Sequence, residues 1–382
     1  MRRSTRARKR EHEGPNGNEV AAEDPCAPAK AAAIKRMKRA VEDTRASPSP
    51  SSSPDDFDDA HRDEDHGHDG ASRGPSGTPE WVFSIFSEQK RAQWDEFLRT
   101  KCLARVGTDF YDLFELAIAI SEDEPLEAFT DTLGIQLCGP FDLLALAVCE
   151  KKQDVSLDKP LFLHGRFFLD PPEVTTVLKD ASNGVNGAHW GYFRDAPEQT
   201  PEYIVFAKDS SKCSLQIAGS SLFHVLDFSI QEQLIKSPND QGLKGLATNV
   251  KQYLRFRKLP LHMTPTNLSR KRASQATAAS LHKLGIVVPY NTKKQTGFRE
   301  LPVVGDQLAA LLQDVQEGNA KARKALSGLI TRATIANDEC DFGTSLLLGL
   351  DLFTAGEALE KESLQLLRVA YMLLRRLDFY KI

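Results

Sequence analysis

Apolar residues recur at spacings near three and four along "PEWVFSIFSEQKRAQWDEFLRTKCL" (79–103), at Trp81, Ile85, Phe86, Trp94, Phe97 and Leu98. That periodicity predicts a helix. "GTDFYDLFELAIAI" (107–120) predicts a second, with Thr108 at its N-cap. The pattern then changes. "PLFLHGRFFLD" (160–170), "HWGYFRD" (189–195), "EYIVFAKD" (202–209) and "CSLQIAG" (213–219) are short and rich in β-branched and aromatic residues. Gly, Pro, Asn or Asp bound them, which predicts strands of a largely antiparallel sheet. "DPPE" (170–173) and "DAPEQTP" (195–201) carry turn chemistry. "SSLFHVLDFSIQEQLI" (220–235) returns to a helical period. From Asp240 onward helical segments follow near 242–258, 266–284, 305–317, 319–335, 344–354 and 357–378. Strands followed by a run of helices indicate α+β: a central, mostly antiparallel sheet, an N-terminal helical part and a largely helical C-terminal half.

Composition divides the chain before this pattern begins. Residues 1–79 hold almost no large apolar side chains and are rich in Pro, Ser, Gly and charge. Such a segment cannot offset its ordering entropy by burial, so a disordered tail is expected there. The expected division is 1–79 tail, 80–235 α/β region and 236–382 mostly helical region. The tail is blocky. "RRSTRARKR" (2–10) and "KRMKR" (35–39) are basic clusters of the kind that direct nuclear import or touch nucleic acid. "SPSPSSSPDDFDD" (47–59) is a low-complexity linker that turns acidic. His61, His66 and His68 follow among acids, at a spacing that fits no zinc pattern, so no metal site is expected. No run of about 18 apolar residues predicts a membrane span. The charged start lacks the apolar core of a signal peptide. Six cysteines (26, 102, 138, 149, 213 and 340) form no C-x-x-C pair or regular framework, which fits free thiols in a reducing compartment.

Two stretches stand apart chemically. "GIVVPYNTKKQTGFRELP" (285–302) is too long and irregular for a simple turn, and long ordered loops often carry function. "ANDECDFG" (336–343) crowds Asp338, Glu339 and Asp341 into four positions amid apolar helical sequence. Its D-F-G ending lacks the rest of a protein-kinase set, since the only H-R-D is His61-Arg62-Asp63 in the tail. An EF-hand starting at Asp338 fails as well, with Cys340, Phe342 and Gly349 at positions that need oxygen ligands. Phosphate-loop, dinucleotide, metalloprotease and nucleophile-elbow motifs are missing too. The chain does not read as a self-sufficient enzyme. Asn337, Asp338, Asp341 and Gly343 are poor helix-interior residues, so one helix should end here and another begin, with Thr344 placed to cap it. Acids before a helix N-terminus complement its dipole, which accounts for one or two carboxylates; a third adds repulsion, one way to make a base. Arg299 in "GFRELP" is the other candidate, suited to planar carboxylate recognition at an interface or to a local salt bridge.

The chain resembles the histone PARylation factor family, accessory proteins of nuclear poly(ADP-ribose) polymerases. "GIQLCGPFDLL" (134–144), "HGRFFLDPPE" (164–173), "GYFRDAPEQTPEYI" (191–204), the 285–302 loop, "ANDECDFGTSLLLGLDLF" (336–353) and "LLRVAYMLLRR" (366–376) carry the resemblance. It implies an accessory factor that is not an enzyme alone. Such a factor docks on the polymerase catalytic domain and completes a composite active site. It directs ADP-ribosylation to serine, notably on histones, in the DNA damage response. It implies Glu339 as the catalytic base, and Asp338 and Arg299 as contacts to the polymerase. Asp341 and Phe298 stand as supporting residues, Phe298 where familiar animal sequences carry Tyr. NAD would be bound by the partner, and the chain would be nuclear and chromatin-associated. Direct nucleic-acid binding by the basic tail is a further expectation. The alternative is a chromatin adaptor that tethers a partner through the tail without a catalytic role.

Overall fold

The structure is a computed structural model that describes residues 85–148, 160–181, 187–208, 213–260 and 265–382. The tail expected over 1–79, with Cys26 and its three histidines, lies outside the described residues, as do Trp81 and Cys149.

Helix α1 (Glu88–Phe97) begins at Ser87, whose hydroxyl accepts from the Lys90 N–H, and runs on into a wide turn at Leu98–Cys102. Ile85 and Phe86 thus precede the helix predicted to contain them. Helix α2 (Asp109–Ile120) starts where predicted, but the Thr108 hydroxyl makes no capping bond. The α2 face that meets the protein includes acids. Asp109 accepts from the Tyr192 and Ser221 hydroxyls and the Leu222 N–H. Asp112 accepts from Arg91, the Tyr253 hydroxyl and Arg257. Buried acids of this kind are tolerable because each has several donors. Two more helices, α3 (Thr130–Leu133) and α4 (Pro140–Val148), complete the N-terminal part.

Five strands form one antiparallel meander in sequence order: β1 (Ile135–Leu137), β2 (Val174–Asp180), β3 (His189–Phe193), β4 (Tyr203–Ala207) and β5 (Leu215–Gly219). Phe193, Tyr203, Val205, Ala207, Leu215 and Ile217 line one face and pack against Leu268 and Leu284. Tyr192 reaches α2 from the other face. With both faces covered, β2 reads "VTTVLKD" and lacks the period-2 alternation that marks a half-buried strand.

The stretch 160–170 is not the strand expected. Leu161–Leu163 makes a 3-10 turn, and Gly165 (φ +71°) sits against Gly139, so that a Cβ there would lie 2.5 Å from the Gly139 Cα. Arg166 donates back to the Phe162 and Pro171 carbonyls. Side chain and glycine contacts thus replace a ladder.

The C-terminal half is helical: α5 (Leu222–Lys236), α6 (Gln241–Phe256), α7 (Pro265–Gln275), α8 (Gly305–Gln316), α9 (Ala320–Asp338), α10 (Phe342–Phe353), α11 (Glu360–Leu373) and α12 (Leu377–Lys381). The segment expected to be helical over 266–284 stops at Gln275. Thr277 and Ala278 pair with Ile286 instead, and Arg272 reaches across to the Leu284 and Gly285 carbonyls. The single helix expected over 357–378 breaks at Arg375 (φ +57°), which turns Arg376 inward to donate to the Val287 carbonyl at 2.6 Å.

Helix α10 is buried along nearly its whole length, from Gly343 to Leu352. Apart from Thr344, Ser345 and Asp351 its side chains are apolar, and a helix apolar on nearly every side belongs at the centre of a fold. Its Leu346, Leu347 and Leu350 pack with Ile286 and Val288 of the long loop, Leu367 and Tyr371 of α11, and Phe379 of α12. Its other side joins Leu308, Leu326 and Leu329 through Leu348 and Leu352. The acid-rich turn is therefore the solvent-facing end of a core helix.

Candidate functional site

The turn is three residues long, Glu339 to Asp341, between α9 and α10. Its geometry is a Schellman close. The Cys340 N–H bonds to the Asn337 carbonyl at 3.1 Å, and the Asp341 N–H reaches back to Ala336 at 2.8 Å. The residue in the left-handed region of such a turn is usually Gly. Here it is Cys340, at φ +66°.

The three acids take different places. Asp341, 1% exposed, is the N-cap position of α10, but its side chain does not cap the helix. Its Oδ1 accepts from the Gly297 N–H at 2.8 Å, which pins the long loop to the turn. The expected cap, Thr344, lies inside α10 and makes a different bond. Its hydroxyl accepts from the Arg299 N–H and donates to the Arg299 carbonyl, each at 2.8 Å. The Gly343 N–H donates to the Gly297 carbonyl at 2.9 Å. A Cβ on Gly343 would come within 2.7 Å of Val288 and 2.9 Å of that carbonyl, so only glycine permits this approach. Phe298 is half-buried and packs on the core beneath α10.

Loop and turn together display Arg299. Its guanidinium spans the other two groups: Nη1 pairs with Glu339 Oε2, and Nη2 lies 3.0 Å from Asp341 Oδ2 at an angle that makes an ion pair but not a hydrogen bond. Glu339 remains 48% exposed and Arg299 56% exposed. Asp338 is exposed and pairs with no cation among the described residues. The local salt bridge for Arg299 thus exists, with Glu339 and Asp341. Two of the three acids, Asp338 and Glu339, are at the surface; Asp341 is buried, with the guanidinium between it and Glu339.

Asp338 and Glu339 occupy the last helical position and the C-cap of α9. That is the negative end of the helix dipole, where an acid costs roughly 0.3–1 kcal/mol instead of gaining it. Dipole complementarity therefore accounts only for Asp341. The turn opens beside a groove of about 780 Å³ lined by Tyr290, Lys293, Cys340, Phe342, Leu373 and Arg375. Among the described residues no group of His, Cys, Asp or Glu is placed to hold a metal ion, and no helix is long and apolar enough to cross a membrane.

Sequence reasoning paired Glu339, Asp338 and Arg299 as candidates, and the structure brings Arg299 to Glu339 across a gap of 40 positions. It missed Thr344 as a clamp, Gly297 and Gly343 as a contact pair, and Arg376 as the prop behind Val287. The glycines were the available signal, since each follows or precedes an aromatic in otherwise bulky sequence.

A family model described as histone PARylation factor 1 matches residues 93–382. Histone PARylation factor 1 of Mus musculus is 32% identical over 283 residues, covering 72% of this chain and 80% of that protein. The protein of the same name from Danio rerio is 33% identical over 282 residues, covering 71% and 78%, and that from Bos taurus is 31% identical over 283 residues, covering 72% and 80%. The chain belongs to the histone PARylation factor 1 family.

Proposed function

We propose that the chain docks on the catalytic domain of a nuclear poly(ADP-ribose) polymerase and lends Glu339 to a composite active site for serine ADP-ribosylation of histones. A serine hydroxyl is a weak nucleophile at neutral pH and needs a positioned base to attack the anomeric carbon of NAD. A carboxylate acceptor needs none. NAD is bound by the partner in this reading, and the chain supplies a proton acceptor.

The observation that carries the reading is the placement of Asp338 and Glu339. Both stand exposed at a helix end that disfavours them, on a turn clamped to the core by Asp341, Thr344 and Gly343. Sites that break a local rule while their supports obey it are where function is expected. Rigid support is also what a base presented to another protein requires. Asp338 and Arg299 contact the partner. Because Arg299 already pairs with Glu339, a partner acid that draws Arg299 away also frees the Glu339 oxygen that receives the proton.

The test mixes the full chain with a DNA-activated polymerase, NAD and a histone peptide. Glu339→Ala is expected to keep polymerase binding and lose the hydroxylamine-resistant adduct that marks a serine ether. Full serine modification by that variant would sink the mechanism. An adaptor acting only through the tail is separated by deleting residues 1–79, which a base donor survives in vitro.

A further inference from the structure

The charge of the folded chain is unevenly laid out. From 241 to 299 there are twelve Lys or Arg and no Asp or Glu, in a chain whose net charge is -4. Four of these cations answer acids elsewhere: Arg257 pairs with Asp112, Lys271 with Glu202, Arg272 with Asp195, and Arg299 with the turn. Of the other eight, three lie on α6. Lys244, Lys251 and Arg255 follow at i, i+7 and i+11, which places them on one line along the helix. The line runs about 16 Å along the axis. The opposite face, from Leu243 through Val250 to Leu254, is buried. Lys258 is exposed just past the helix end.

None of Lys244, Lys251 and Arg255 pairs with a carboxylate among the described residues, although α5, packed against α6, carries Asp227 and Glu232. The surface between the cations is low. Gly245 has open space where a Cβ would stand, and Thr248 and Gln252 are exposed polar neighbours. No aromatic side chain lies on the line, so it offers no stacking platform for unpaired bases. The exposed aromatic of α6, Phe256, lies off the line, under the Arg257 guanidinium. A row of cations on a polar helix face, where the capping Asp240 is the one acid and gives an oxygen to the Leu243 N–H, has the chemistry of a phosphate-backbone contact.

We propose that this face of α6 binds the sugar–phosphate backbone of duplex nucleic acid, without sequence preference, independently of the basic clusters in residues 1–79 and of the Glu339 turn. The contact orients the folded body on the duplex rather than reading it.

The test uses the full chain and a fluorescein-labelled 20-base-pair DNA duplex, followed by anisotropy from 50 to 200 mM NaCl. K244A/K251A/R255A is expected to weaken binding about tenfold or more at the low-salt end and to flatten the log–log salt slope by about 2–3. K321A/K324A/R332A removes the same charge from exposed positions on α9 and is expected to leave both readings in place. K244R/K251R/R255K keeps the charges and is expected to bind like the parent, which separates charge loss from misfolding. Three results overturn the proposal: an unchanged slope in the α6 alanine variant, equal losses in the α6 and α9 variants, or a labelled polyglutamate peptide held by α6 more tightly than the duplex.

Discussion

Replacing Asp341 by alanine should damage the fold, and replacing Glu339 should not, although the two acids are separated by one residue. Asp341 is buried and its Oδ1 is the acceptor for the Gly297 N–H at 2.8 Å. Alanine removes a charge-assisted bond and leaves that N–H without its acceptor, at a cost of about 2–3 kcal/mol. For a folded part of this size that corresponds to a fall of roughly 3–5 °C in Tm. Glu339 is half exposed, and its pair with Arg299 is the kind worth about 0–1 kcal/mol. Its removal also relieves an acid at the negative end of α9, so the two effects nearly cancel. Thermal melts of the full chain by circular dichroism, with urea unfolding alongside, measure both variants. Asp341→Asn retains an oxygen toward Gly297 and should recover most of the loss. An Asp341→Ala variant that melts within 1 °C of the parent (about half a kcal/mol), or an Glu339→Ala variant that falls as far, would refute the division between a structural and a presented acid.

Three further outcomes follow from the same region. Cys340→Gly relieves a non-glycine residue at φ +66° and should raise stability by about 0.5–1 kcal/mol, read as a higher urea midpoint at unchanged m. Gly343→Ala sets a methyl 2.7 Å from Val288 and 2.9 Å from the Gly297 carbonyl, so a loss of about 1–3 kcal/mol and weaker polymerase docking are expected in melts and binding titrations. Asp351 is buried, and burial pushes its carboxyl from the ordinary 3.8 up to about 7 against the single Leu281 N–H that favours the charge. A carboxyl raised in the folded state contributes fully below about pH 4, and its contribution is lost as pH rises toward 7, because the unfolded chain ionises first. Asp351→Asn, which keeps the acceptor, should therefore match the parent near pH 4 and exceed it by on the order of 3 kcal/mol at pH 8, measured by urea unfolding across that range.

The parts of the fold legible in the sequence are those in which one element settles its own conformation. Helices α5, α6, α8 and α9 show a 3.6 period with N-caps or glycines at their ends, and β3, β4 and β5 sit between turn residues. The parts that were not legible are settled by distant partners. Thr277 and Ala278 leave a helix-prone run because Ile286 offers a pairing edge and Arg272 holds the return at Leu284 and Gly285. Residues 160–170 look like a strand but answer to Gly139 and Pro171. The site shows the same boundary. The acid excess at 338–341 could be seen in one dimension, and so could the oddity of Arg299. Which acid is inward could not, because Asp341 is chosen by the Gly297 N–H, 44 positions away. The crowding of three carboxylates resolves into one that builds the turn, one paired with Arg299 and one left free in solvent. Only a structure in which loop and turn meet can make that distinction, and it is what turns a motif into a test for each residue separately.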